Sequence, residues 1–274
     1  MKAPILTKIS AVAFSAAISI GSLQAGTTNT NSHKEHGFDN NNISPFEEDQ
    51  GFSNNQIGGE GMSFTSSTIS GNRLKITWKE SEYDGSRRER GHELKLGLTD
   101  DEEIYSGFYW NIPSGQNNNI LNKNTIIWQM YCWNSAGCSN WTAHVELKSD
   151  DDLYVSHRGA CVSPTVTKLI NNVKTNTDYA WTFRVRTGAG NGIFEMRQSG
   201  NRVYRITNAS IGFGSFSGTT MRDAVIGVKM GMYCFDTSNY SNNEKRILYL
   251  ENLGNCRRSG SVTNSHNKID PRRF

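Results

Sequence analysis

The chain has 274 residues, with 29 Lys and Arg against 26 Asp and Glu, a net charge of +3. That balance argues against a nucleic-acid binder, while leaving room for an anionic polymer if arginines gather in one groove. No run beyond the N-terminus is long and apolar enough to span a membrane, and no Cys/His spacing fits a zinc site.

The first stretch reads as a secretory leader over 1–25. "MKAPILTK" carries two lysines, "ISAVAFSAAISIGS" is an apolar segment of leader length, and Ala25 stands at a suitable cleavage position. Residues 26–44 are polar and nearly free of large apolar side chains, so a mobile linker is expected there. Residues 45–258 form the predicted domain, and 259–274, "SGSVTNSHNKIDPRRF", read as a disordered tail. Export and five cysteines suggest disulfides with one thiol left over. Cys132 and Cys138 enclose a turn-forming "WNSAG" and are the favoured pair, whereas Cys161, Cys234 and Cys256 give no basis for a choice. A secreted or periplasmic location follows, with a monomer expected and no cofactor; nothing in the sequence indicates a structural calcium.

Strand signals dominate the domain. Short β-branched or aromatic runs bounded by Gly, Asn, Ser or Asp occur at 73–80, 92–98, 105–112, 125–133, 143–149 and 152–158. Five more follow at 179–187, 192–198, 202–207, 225–235 and 245–253. About eleven strands argue for an all-β, two-sheet jelly roll. One segment breaks the pattern: Val166, Leu169, Ile170 and Val173 recur at helical spacing behind Ser163 and Pro164, predicting one short helix over 164–174.

Three strands carry chemistry. In "VIGVKMGMYC", 225–234, Val228, Met230 and Met232 share one face, and Lys229, Gly231 and Tyr233 share the other. A cation within a few ångströms of a phenol lowers its pKa by ~1–3 units, bringing proton transfer near neutral pH within reach. Gly231 would let a flat ligand lie between Lys229 and Tyr233, although a solvated sheet face explains the same pattern. In "IIWQMYCW", Gln129, Tyr131 and Trp133 share a face, and the amide of Gln129 needs a partner or a cleft. In "SRRERGHELKLG", Glu93 lies opposite the leucines, while Arg88, Arg90 and His92 fall on the leucine side unless a bulge at Gly91 turns them over.

These stretches resemble the jelly-roll polysaccharide lyases, especially the heparin lyase I and glucuronan lyase group and more loosely the alginate lyases. "GHEL", "QMY" and "KMGMY" stand in the order of that group's Arg-x-Glu-Leu, Gln-x-His and Lys-x-Gly-x-Tyr strands. "IYSGFYWNIP", "GIFEMRQSGNRV" and "RILYLENLGN" extend the likeness over about 75–254. The resemblance implies β-elimination on an uronic-acid polymer, whether glucuronan, alginate or a heparin-like chain. It implies Tyr233, Lys229 and Gln129 as catalytic residues, and Arg88, Arg90, Glu93, Tyr131, Trp133 and Gly231 against the substrate. Two departures stand out: Tyr131 replaces the group's histidine, and its arginine falls on Gly91 beside Arg90. His92 is the nearest substitute base, with His144 and His157 on later strands. A lectin-like binder stacking sugars on Tyr109, Tyr131 and Trp133 is the competing reading. A glycoside hydrolase needs two carboxylates about 5–10 Å apart in the cleft, and no Glu-x-Asp-x-x-Glu strand is present.

Overall fold

The computed structural model describes residues 61–69, 71–86, 89–99, 103–133, 140–159, 162–212, 214–216, 219–221, 225–258 and 260–273, and two short strands nearer the N-terminus. In chain order the strands are β1 (His33–His36), β2 (Glu47–Glu48), β3 (Met62–Ser66), β4 (Asn72–Lys79), β5 (Gly91–Thr99) and β6 (Glu103–Asn111). Next come β7 (Thr125–Trp133), β8 (Asn140–Leu147), β9 (Leu153–His157), β10 (Thr165–Ile170), β11 (Tyr179–Arg186) and β12 (Gly188–Gln198). The last are β13 (Asn201–Ile211), β14 (Gly214–Phe216), β15 (Thr219–Met221), β16 (Val225–Tyr233) and β17 (Lys245–Arg257), followed by helix α1 (Val262–Lys268). Each of the eleven expected strands is present.

Two antiparallel sheets form the sandwich. One runs β13-β12-β11-β6-β17-β4-β3, and the other runs β10-β9-β8-β7-β16-β5-β2. β17 pairs with β4 over its first half and with β1 over its second. Alternation sends one side of each strand into a shared core. Trp128 of β7 stacks on Phe183 of β11 at 4.5 Å, and its indole N–H donates to Ser106 Oγ of β6 at 2.8 Å, joining the two layers.

Three expectations are corrected. The segment read as a helix over 164–174 is an edge strand: Thr165 to Lys168 pair with His157 to Tyr154, with a bulge before Ile170. Its β-branched "TVT" suits an edge, and Val166 is exposed rather than buried as a helical face would require. The tail read as disordered folds. Ser261 Oγ caps α1 by accepting from Asn264 N at 3.1 Å, and His266 and Ile269 are buried against the first sheet. His266 Nδ1 lies 2.9 Å from Thr182 Oγ1, and Gly107 leaves room for the Ile269 carbonyl, which a Cβ there would meet at 2.0 Å. Within the stretch read as a linker, β1 joins the sheet by pairing with β17. The leader and the rest of the linker lie outside the described residues.

Candidate functional site

The second sheet sets one continuous polar row across its middle strands. Lys229 of β16 is paired with Lys95 of β5 on one side and Gln129 of β7 on the other. Gln129 is paired in turn with His144 of β8, and His144 with Ser156 of β9. The residues between them in sequence, Val228, Met230, Trp128, Met130 and Val145, fill the core, so alternation turns the row outward.

Glu93 ties this row together. Gln129 Nε2 donates to Glu93 Oε1 at 2.6 Å, and Lys229 Nζ lies 3.9 Å from Glu93 Oε2. All three are buried, Glu93 to 1%, Gln129 to 6% and Lys229 to 8% exposure. A carboxylate so placed is tolerated because an ammonium and an amide N–H face it. The contact also fixes the amide: one N–H of Gln129 is taken by Glu93 and a second remains. The Lys229 ammonium sits 4.9 Å from the centroid of the Tyr131 ring, within cation–π range. That ring lies over Gly227, where a Cβ would come within 2.4 Å of it.

Gly231 has a different task from the one its spacing suggested. Its φ is +148°, and a Cβ there would meet His92 O at 2.3 Å and Glu93 Cα at 2.8 Å. Gly91 mirrors it across the strand pair, with φ +142° and Met232 O at 2.0 Å. Both glycines let the backbones of β5 and β16 approach.

His92 is also corrected. It pairs with Met232 and keeps the parity of Leu94, so it faces the core, 4% exposed, and Gly91 does not turn it over. Burial alone pushes it down to about 4, and its Nδ1 has no hydrogen-bond partner. Arg90 stands beside the end of β16, its carbonyl accepting from Cys234 N at 2.6 Å. Burial would lower its pKa, but hydrogen bonding to Tyr83 and then Tyr233 outweighs that and raises it. Tyr83 packs on Trp78 and Tyr240, and the fully buried guanidinium of Arg246 lies 5.2 Å from the Trp78 ring. This aromatic cluster holds Arg90 at the end of β16 beside Tyr233, which is partly exposed. Lys229, for its part, is engaged by Glu93 and Tyr131.

His144 lies closer to this row than its place on a later strand suggests. It sits beside Gln129, 4% exposed, with its ring 4.0 Å from Trp141. Its Nε2 is 2.9 Å from Glu146 Oε2, though not aligned for a hydrogen bond. Burial lowers its pKa and outweighs the opposing effect of Glu146. The signal was the alternation in "AHVELK", which puts His144 and Glu146 on one face against the strand of Gln129. His157 faces the core opposite Ala143, with neither ring nitrogen bonded. Arg88 and Cys138 lie outside the described residues, as do the side chains of Cys132 and Trp133. The proposed Cys132–Cys138 bridge therefore falls there too.

No protein-family model matches the chain, and no curated protein matches it in sequence. Solved structures do match. An endo-β-1,4-glucuronan lyase from the fungus Trichoderma reesei aligns with a TM-score of 0.63 at 14% identity, over 87% of this chain and 98% of that one. The fold is that of the jelly-roll polysaccharide lyases. A marine alginate lyase from Aplysia kurodai aligns at 0.53 and 9% identity, over 73% and 88% of the two chains. An alginate lyase of polysaccharide lyase family 7 aligns at 0.51 and 14% identity, over 71% and 82%. The lyase fold thus places Gln129, Lys229 and Tyr131 on one outward face of its second sheet, with Tyr233 and Arg90 at the end of β16.

Proposed function

We propose that the protein is an exported polysaccharide lyase that cuts an uronic-acid polymer by β-elimination. The observation that carries this is the row Glu93–Gln129–Lys229, bordered by two partly exposed phenols, Tyr131 and Tyr233. The leader pattern and the cysteine content support export.

In such a reaction the proton beside the carboxylate leaves carbon 5, a double bond forms between carbons 4 and 5, and the bond to the carbon-4 oxygen breaks. The departing oxygen takes up a proton. Tyr233 is the proton acceptor and then donor, since its phenol is partly exposed at the end of β16 beside the row. The free N–H of Gln129 faces the substrate carboxylate and stabilises the enolate as charge develops. Lys229 holds Glu93 and the Tyr131 ring in place, so that one donor of Gln129 is spent on orientation and the other is aimed outward. His144, beside Gln129, is a second candidate for the proton-transfer task assigned to the group's histidine.

The test is a panel of purified polyglucuronate, alginate and heparin-like polymers, followed by ultraviolet absorbance. Elimination leaves a conjugated unsaturated end that absorbs, whereas hydrolysis and simple binding leave none. A protein that binds these polymers without any rise would be a lectin instead.

A further inference from the structure

The outer edge of the first sheet carries more positive charge than its one buried carboxylate, Glu195, accounts for. Arg197 of β12 and Arg202 of β13 are direct cross-strand partners, and like charges so placed are destabilising. One rung away Arg205 pairs with Glu195. The carboxylate of Glu195 is shared: Arg197 Nε lies 2.9 Å from Oε1, His266 Nε2 lies 3.2 Å from the same oxygen, and Arg205 Nε lies 3.6 Å from Oε2. Glu195 is buried while the Arg205 side chain is 41% exposed, so positive charge faces outward. Arg202 has no ion-pair partner among the described residues.

A depression of about 470 Å³ lies on this edge, lined by Arg202, Val203, Tyr204, Arg205 and Thr207. Its floor is fixed. Tyr204 packs edge-on against Phe194 at 5.5 Å. Val203 stands 43% exposed between the two arginines.

We infer that this edge is a second, non-catalytic binding site for an acidic polysaccharide chain. A bulge at Val203 brings Arg202 and Arg205, opposite Arg197 and Glu195, onto one face, where they grip carboxylates about 7 Å apart along the strand, and the apolar face of a sugar ring lies on Val203. The site belongs to β13 of the first sheet, whereas the row at Gln129 belongs to the second, so the two act on different stretches of one polymer. Nucleic acid is the poorer fit: the exposed apolar side chain is aliphatic and offers no base a stacking partner, and the chain's net charge is only +3. The choice of a polysaccharide rests on the function proposed above; the arginine arrangement does not.

The experiment measures binding to immobilised polyglucuronate, alginate, neutral dextran and double-stranded DNA, over a range of salt. Wild type is compared with Arg202→Ala/Arg205→Ala and with the charge-matched control Lys75→Ala/Lys174→Ala. Affinity for the acidic polysaccharides should fall at least ~10-fold in the arginine variant and little in the control, with cleavage of short oligosaccharides unchanged. Equal binding by all three proteins overturns the site, as does tighter binding to DNA than to the polysaccharides. Binding that depends on the arginines in a protein that cleaves nothing keeps this site and removes the lyase reading.

Discussion

Glu93 is the residue on which the candidate site turns, and its removal has a calculable effect. Glu93→Ala takes away the acceptor of Gln129 Nε2 at 2.6 Å and the carboxylate beside Lys229 at 3.9 Å. Breaking a buried ion pair from one side costs about 3–5 kcal/mol, and a buried donor left unmet costs about 1–3 kcal/mol. The 3.9 Å separation is long for an ion pair, which favours the lower end of the first range. The two effects share one environment and do not simply add. The expected loss is about 4 kcal/mol, measured by urea unfolding with the slope held in common. Glu93→Gln keeps an acceptor for Gln129 and should lose less, about 2–3 kcal/mol. Removing both charges in Glu93→Gln/Lys229→Met should recover part of that, because no buried charge is then uncompensated. Single variants that cost under about 1 kcal/mol, or a double variant as poor as the sum of its parts, would refute the claim that Glu93 organises the row.

Further outcomes follow from other contacts. His92 is neutral in the fold, with its pKa pushed down to about 4 from 6.5, so its contribution is full above the unfolded value and is lost as pH falls from 6.5 toward 4. The loss approaches about 3 kcal/mol, and stability-against-pH curves for wild type and His92→Leu should differ by that slope in that window; parallel curves would contradict it. Gly231→Ala should cost at least ~3 kcal/mol or prevent folding, since its Cβ would meet backbone; a stable variant that merely loses ligand binding would restore Gly231 to the ligand. Deleting residues 260–274 should lower Tm, because burying Ile269 alone is worth about 1.5–3 kcal/mol; an unchanged melting curve would mean the tail contributes nothing.

The sheet was legible because its strands alternate cleanly and end at turn residues. The two misread segments show what alternation and helical spacing leave undecided. Val166, Leu169, Ile170 and Val173 satisfy a helical template, yet six residues beside β9 gain more by pairing at an open edge. The tail is polar, but Ser261, Val262, His266 and Ile269 follow a cap and a helical stripe, and its partners, Thr182 and Glu195, lie far away in sequence. At the site, period two grouped Lys229 with Gly231 and Tyr233, and Gln129 with Tyr131, and β16 is irregular between Met230 and Tyr233. It could not show that Glu93 reaches across to Gln129, or that Arg90 stands beside the end of β16. Those depend on strand order, which places β16 between β5 and β7. The same order brings His144 beside Gln129, a neighbour that no spacing within one strand reveals.

The most direct test is the ultraviolet absorbance of polyglucuronate and alginate digests made with wild type, Tyr233→Phe and Gln129→Ala. The account predicts a rise with wild type on at least one polymer and a rate at least ~100-fold lower for Tyr233→Phe, the usual scale for losing a positioned acid or base. Gln129→Ala should fall comparably, through loss of a donor to the developing enolate. A Tyr233→Phe protein that forms the unsaturated product at the wild-type rate would contradict it.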